Sequence, residues 1–292
     1  MNVLSLFDGI SAGYVALERA GIEVGNYYAA EIDKYAIKVT QANYPDTIQL
    51  GDVTKWREWD IDWSSIGLLI GGSPCQGFSF AGKQLAFDDP RSALFFVYVD
   101  ILNHIRSVNP NVKFMLENVK MKKEHLAIIS EHLGVEPVLI NSALVSAQNR
   151  QRYYWANWEF GQPEDKQILM HDVLHDADDK FKVSQKQLSR LDLSNVSNGG
   201  ARVCFQSPGQ NVEKSECLQA RDYKGISGRQ YFTVAMKGGL LYKLSPVEYE
   251  RLQTFPDGYT AHVSNTQRYK ALGNSWTVDV VAHIFKEGLC NH

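Results

Sequence analysis

Cys75 stands in Gly72-Ser-Pro-Cys-Gln-Gly77, directly beyond the apolar run Leu68-Leu-Ile70. Pro74 fixes φ and Gly77 lets the chain swing, a setting that exposes a thiol instead of packing it. A thiolate so placed can attack an electrophilic carbon, although a cysteine judged by type alone is more often inert packing. Glu117 closes the run Val112-Lys-Phe-Met-Leu116 and presents a carboxyl that could exchange a proton with a bound ring or pair with a surface base. Gln148-Asn-Arg150-Gln-Arg152 sets two arginines two apart, on one face if extended. Two such forks suit a carboxylate, a phosphate or a polarised carbonyl, a solvated strand edge being the alternative. Asp8, Glu31 and Asp52 also end apolar stretches. Phe7-Asp-Gly-Ile-Ser-Ala-Gly13 offers glycines for close backbone approach, and Glu31 stands where an acid could bind ribose hydroxyls. The lack of G-x-G-x-x-G there disfavours a dinucleotide relative to a single nucleoside. Asp52 could accept from an adenine amine or simply cap a turn.

These groups need a scaffold, and the hydrophobic pattern supplies one. Asn2 to Phe7 predicts a strand, followed by a glycine turn and a helix through Tyr14, Leu17 and Ala20. A second strand is expected at Val24 to Ile32, a helix from Tyr35 to Tyr44, a short third strand ending at Asp52, and further strands at Leu68 and Val112. Repeated βαβ units imply an α/β fold, a doubly wound, mainly parallel sheet wrapped by helices. Ligands bind such sheets at the carboxyl ends of the strands, where Asp8, Glu31, Asp52, Cys75 and Glu117 all fall. From Gly161 to Leu240 the chain turns polar and glycine-containing, which predicts a smaller irregular domain. Ser245-Pro-Val-Glu248 reads as a capped helix start, and Ala271 to Phe285 contains a final helix returning to the sheet. The expected division is 1–160 plus 264–292 for the sheet domain and 161–263 for the second.

With 292 residues, 44% hydrophobic and 22% charged, the chain has the composition of an ordinary folded protein. No apolar run approaches the roughly 20 residues that span a bilayer, and no basic leader precedes the first strand, so a cytoplasmic protein is expected. Cys75, Cys204, Cys217 and Cys290 form no C-x-x-C pair, which speaks against a disulfide framework and against a metal site. A formal charge of −3 means that any nucleic-acid site is regional. Gly161 to Lys180 holds six acids against two lysines and should face away from a polyanion, whereas Phe181 to Leu240 holds nine basic residues against four acids. That basic stretch is either a binding surface or a solvated face.

Taken together and in order, Phe7-Asp-Gly-Ile-Ser-Ala-Gly13, Glu31, Gly51-Asp-Val-Thr54, Gly72-Ser-Pro-Cys-Gln-Gly-Phe-Ser79, Glu117-Asn-Val119, Gln148-Asn-Arg150-Gln-Arg152, Arg251-Leu-Gln-Thr-Phe-Pro256 and Leu272-Gly-Asn-Ser275 closely resemble the DNA cytosine-5 methyltransferase family. The resemblance covers nearly the whole chain outside the second domain. Phe7-Asp-Gly-Ile10, Arg152-Tyr-Tyr-Trp-Ala-Asn157 and Ser275-Trp-Thr-Val278 look more like the vertebrate de novo branch than like typical restriction-system enzymes, while length and cysteine usage suggest a bacterial or phage protein. Cys217-Leu218 departs from the Thr-Leu common at the equivalent place.

The resemblance implies methyl transfer from S-adenosylmethionine to C5 of a flipped-out cytosine in duplex DNA by a monomer, leaving S-adenosylhomocysteine. It implies Cys75, Glu117, Arg150 and Arg152 as catalytic residues. For the cofactor it implies Phe7, Asp8, Gly9, Ile10 and Ser11, then Glu31, Ile32, Asp52, Val53 and Pro74, and from the far end of the chain Asn274, Ser275 and Trp276. Gln76, Ser79, Arg91, Arg221, Lys224 and Arg229 are the implied DNA contacts. A tRNA cytosine methyltransferase is the alternative enzyme, but the Cys-Phe-Thr tripeptide of that branch is missing. A catalytically silent DNA-binding homologue is a further alternative, disfavoured by the retention of Cys75, Glu117, Arg150 and Arg152.

Overall fold

In the computed structural model, which describes residues 1–73, 93–176, 178–189, 201–205, 213–224 and 232–290, the run Asn2–Leu6 forms strand β1 and is buried from Val3 onward. Helix α1 (Ala12–Ala20) stops at Gly21, whose φ of 75° is a left-handed cap that glycine adopts without strain. Strand β2 (Tyr27–Ala30), helix α2 (Lys34–Asn43), β3 (Ile48–Gln49), β4 (Ile66–Gly71), α3 (Ala93–Val108), β5 (Lys113–Val119), α4 (Lys123–Leu133), β6 (Val138–Asn141) and β7 (Gln151–Ala156) follow. The seven strands form one sheet in the order β3-β2-β1-β4-β5-β7-β6. β3, β2, β1, β4 and β5 run parallel, as the sequence predicts, and β7 lies antiparallel to β5. The chain winds outward from β1 to β3 and resumes on the other side with β4. The switch point therefore lies between β1 and β4, with Leu6 beside Gly71.

Strand β2 is shorter than the predicted Val24 to Ile32. At its end Glu31 turns its own Oε1 back to accept from Ile32 N and Asp33 N, both at 2.8 Å, and at its start Asn26 N is drawn to Asn2 Oδ1 at 2.9 Å. Side-chain bonds of this kind give the backbone an alternative to the ladder. Leu4, Leu6, Leu69, Phe114, Leu116 and Trp155 pack with Phe95, Tyr98 and Leu102 of α3 in a fully buried core. Gly71 is required there, because a Cβ would meet Leu6 O and the Tyr98 ring at 3.1 Å. The space lets Tyr98 lie across β4 and donate its hydroxyl to Met115 O at 3.1 Å.

The described residues gather into two compact units, one drawn from 1–140, 151–162 and 281–292, the other from 141–150 and 163–280. The second unit contains the short helices α5 (Met170–Val173) and α6 (Gln185–Leu188) and a three-stranded sheet. In that sheet β8 (Ala201–Phe205) runs parallel to β9 (Phe232–Lys237), and β10 (Leu240–Lys243) runs antiparallel to β9. Helix α7 (Pro246–Leu252) starts at the predicted capping box, with Ser245 N donating to Glu248 Oε2 at 2.6 Å and Glu248 N to Ser245 Oγ at 3.2 Å.

The last helical stretch is two helices, α8 (Asn265–Asn274) and α9 (Val278–Leu289). They separate because side chains take the carbonyls that a continuing helix would need. Gln253 Nε2 donates to Leu272 O at 2.7 Å and to Ser275 O at 3.0 Å, and Arg150 Nη2 donates to Gly273 O at 3.3 Å and to Ser275 O at 2.9 Å. From Val281 onward α9 belongs to the seven-stranded-sheet unit, where Trp158 Nε1 donates to Ile284 O at 3.1 Å. The Trp158 ring fills the space that a Cβ on Gly288 would occupy.

Candidate active site

The turn that follows β1 is held in an unusual backbone conformation. Phe7, Gly9 and Ser11 have φ of 58°, 61° and 57°, so two side-chain-bearing residues sit in the left-handed region. Each such residue costs about 1–2 kcal/mol, which local bonds must offset. Gly9 N donates to Glu31 Oε2 at 2.8 Å, so the carboxyl that ends β2 clasps the turn that ends β1. With three backbone amides on its two oxygens, Glu31 keeps acceptor capacity for another donor. Asp8 N donates to Ala30 O at 3.2 Å. The Asp8 carboxyl receives Tyr27 Oη at 2.8 Å and Ser11 Oγ at 2.5 Å, and burial pushes it above the usual carboxylate range.

The other residues expected at this edge divide by exposure. Ile32 is 75% exposed beside Glu31, an apolar side chain standing in the open. Ile10 and Val53 are buried. Asp52 caps a 3-10 turn, accepting from Thr54 N at 2.9 Å and Thr54 Oγ1 at 2.8 Å, and the Thr54 amide holds its carboxyl below its ordinary value. The cap and the expected adenine contact do not compete, because the carboxylate has further lone pairs.

At the end of β5, Glu117 meets Arg152, with Nε 3.0 Å from Oε1. The register pairs Glu117 with Tyr154 and Val119 with Arg152, so the contact is the diagonal cross-strand pair of an antiparallel ladder. Sequence reasoning had no way to see that pairing. It also assigned no role to Asn118, which is buried. Asn118 Nδ2 donates to Ser73 Oγ at 3.2 Å and its Oδ1 accepts from Val119 N at 2.8 Å, tying the end of β5 to the segment that leads toward Cys75. Pro74, Cys75, Gln76, Ser79, Arg91 and Arg229 lie outside the described residues.

Arg150 corrects the expectation of two forks facing one way. It precedes β7 and is only 4% exposed, and its Nη1 donates to Leu218 O at 3.1 Å and lies 3.4 Å from Cys217 Sγ. With the bonds to Gly273 and Ser275, its guanidinium is committed to backbone carbonyls of the second unit. Gln148 and Gln253, both fully buried, join the same lattice. Gln148 Nε2 donates to Gln253 Oε1 at 3.1 Å, and Leu218 N donates to Gln148 Oε1 at 2.9 Å. Both lie in the quoted motifs, yet their type alone suggests no role.

The basic count of the second unit also needs reducing. Lys214 Nζ donates to Ala143 O at 2.7 Å, Ser146 O at 3.1 Å and Ile168 O at 2.6 Å, and desolvation lowers its pKa. Lys237 Nζ lies 2.6 Å from Glu248 Oε1, inside the unit. Arg221 and Lys224 are exposed, on a turn anchored by Asp222, which accepts from Gln219 N at 2.8 Å and from Tyr249 Oη at 3.0 Å. Among the described residues no cluster of His, Cys, Asp or Glu could hold a metal ion, and no helix is long and apolar enough to cross a membrane.

Comparison with known proteins agrees with this geometry. The Type II methyltransferase M1.ScrFI of Lactococcus lactis subsp. cremoris is 33% identical over 99% of this chain and 78% of its own length. The Type II methyltransferase M.NlaX of Neisseria lactamica is 32% identical over 98% and 95%. In fold, the chain is similar to the Entamoeba histolytica methyltransferase EhMeth, with a TM-score of 0.77 at 18% identity over 98% of this chain and 97% of that one. The model of the C-5 cytosine-specific DNA methylases matches residues 1–190 and 164–289. A methyltransferase sheet with these motifs at its carboxyl edge, two relatives above 30% identity and a family match along nearly the whole chain place the protein in one group: it belongs to the C-5 cytosine-specific DNA methylase family.

Proposed function

We propose that this DNA cytosine-5 methyltransferase modifies C5 of a cytosine turned out of a short duplex DNA site, through a temporary bond between Cys75 Sγ and C6. The observation that carries the reading is Glu117 beside Arg152 at 3.0 Å, at the end of β5 and next to the strand leading to Cys75. Thiolate attack at C6 moves the ring electrons to C5, which is a poor nucleophile while the ring is aromatic. Glu117 holds N3 and the exocyclic amine as charge shifts, and Arg152, steadied against Glu117, reaches for O2. C5 then takes the methyl group as its bond to the sulfonium sulfur breaks and S-adenosylhomocysteine leaves, and loss of the C5 proton to water with expulsion of the thiolate restores the ring. Extruding the base costs about a few kcal/mol, which contacts to the displaced base and strand must return.

S-adenosylmethionine fits the other end of the site, where it supplies the methyl group on a sulfonium. A Cβ at Gly9 would find nothing within 4 Å, so the turn leaves open space for close backbone approach. Glu31 has acceptor capacity for ribose hydroxyls, Ile32 offers an uncovered apolar surface for a flat ring, and Asp52 can take an adenine amine. Phe7, Asp8, Gly9, Ile10, Ser11, Val53 and Pro74 complete that side by resemblance. Asn274, Ser275 and Trp276 belong to the cofactor residues on the same ground. Arg221 and Lys224, with Gln76, Ser79, Arg91 and Arg229, are assigned to DNA. Residues 161–263 would carry target recognition.

Bisulfite sequencing of unmethylated plasmid after incubation with S-adenosylmethionine tests the reading. Protected cytosines in one fixed short context, absent with Cys75→Ser, are expected. Verified cofactor binding with no protected cytosine overturns it in favour of a tRNA substrate.

A further inference from the structure

We infer that Tyr27 and Thr40 are positioning residues for the turn Phe7 to Ser11, acting through Asp8 and Ser11, and that this turn depends on them to accept S-adenosylmethionine. The inference rests on the cofactor reading above. Neither residue lies in any of the recognised motifs. Tyr27 opens β2, Thr40 lies on α2, and both are buried.

The direction of each hydrogen bond follows from a count of protons. Ser11 has one hydroxyl proton and donates it to Asp8 Oδ2 at 2.5 Å. The contact of 2.9 Å between Ser11 Oγ and Thr40 Oγ1 must then be a donation from Thr40. Tyr27 Oη donates to Asp8 Oδ1 at 2.8 Å. Tyr27 directly, and Thr40 through Ser11, thus hold one carboxyl that Ser5 of β1 also bonds, linking the turn after β1 to β2 and α2. Ser11 is the residue before α1, yet its side chain makes no cap bond to the helix, because its φ of 57° is not the extended backbone from which a cap side chain accepts the first amides. These bonds therefore serve the conformation of the turn, in which Phe7, Gly9 and Ser11 all have positive φ. Release of Asp8 would let Phe7 and Ser11 relax toward ordinary φ and carry Gly9 N away from Glu31. Ring packing is separable from these bonds, since the Tyr27 ring lies 4.7 Å from that of Tyr14 and needs no hydroxyl to do so.

Tyr27→Phe and Thr40→Val each remove one hydroxyl and little volume. Calorimetric titration with S-adenosylhomocysteine should show affinity weakened by about five- to tenfold in each. The KM for S-adenosylmethionine should rise in proportion, with kcat at saturating cofactor within about twofold of wild type. Thr40→Ser, which restores the donor, should bind as wild type. Wild-type affinity in both Tyr27→Phe and Thr40→Val, with only a lowered Tm, would overturn the inference and leave the cofactor reading standing. Absence of binding by the wild-type protein would overturn the cofactor reading and this inference with it.

Discussion

Glu117 and Arg152 meet at the rim of the seven-stranded sheet with side chains 11% and 15% exposed, whereas Glu248 and Lys237 in the second unit meet at 0% and 3%. The bond types are the same, but at the rim part of each group stays reachable, as the proposed exchange with a bound ring requires. In the second unit a set of charges is closed off: Glu248 also accepts from Ser245 N, Glu250 accepts from Gly258 N, Thr260 and Arg268, and Lys214 and Arg150 are occupied by carbonyls. There, charge acts as mortar for irregular chain that has little regular ladder to satisfy its backbone. The contrast teaches that a count of basic residues along the sequence overstates what a polyanion can meet.

The largest effect should come from the closed pair. Lys237→Met leaves Glu248 buried without its cation and should lower unfolding free energy by about 3–5 kcal/mol, read from denaturant midpoints. Adding Glu248→Gln should recover a large share of the loss, and no recovery would mean that the cost lies in packing. Next, Arg150→Lys and Arg152→Lys separate the two arginines. Arg150→Lys strands several carbonyls and should cost about 2 kcal/mol of stability. Arg152→Lys should leave stability within about 0.5 kcal/mol but slow methyl transfer by about 100-fold. An unstable Arg152→Lys protein, or an inactive but fully stable Arg150→Lys protein, would break the distinction.

The smallest effect concerns Asp8, the one carboxyl of the rim that resembles the closed groups. Burial raises it above its ordinary 3.8, so the folded protein holds that proton to higher pH than the unfolded chain does. Stability from this group is complete below the unfolded value and is lost as pH rises through the folded one. Asp8→Asn lacks that loss, so thermal melts at pH 4 and pH 7 should show the variant gaining on wild type as pH rises. Parallel curves would place Asp8 with the open groups.

Much of the rim was legible in the sequence because its signal is local. Apolar runs ending in Asp8, Glu31, Asp52 and Glu117 mark strand ends, and the glycines after β1 mark a turn. The alternation that predicts a parallel sheet is equally local. The pairing of Glu117 with Arg152 was not legible, since it depends on β7 running antiparallel to β5 across some 35 positions. Arg150 looked like a substrate contact because its partners, the carbonyls of Leu218, Gly273 and Ser275, carry no side-chain signature. Lys214 looked like surface charge for the same reason, and Lys237 did because only the fold brings Glu248 to it. Tyr27 and Thr40 read as ordinary strand and helix positions, and only the fold brings their hydroxyls to Asp8.

The sheet-bearing unit is assembled from three separate stretches of chain, and its last contribution begins at Val281. That unit cannot close when its strands emerge, because Trp158 seats against Ile284 and Gly288, the first of them 126 positions further along the chain. Residues 163–280 of the second unit are made in that interval, so the strands of the sheet wait through the synthesis of the other unit for their closing helix. A chain cut before Val281 would thus carry every strand of the sheet and still lack the helix that seals it.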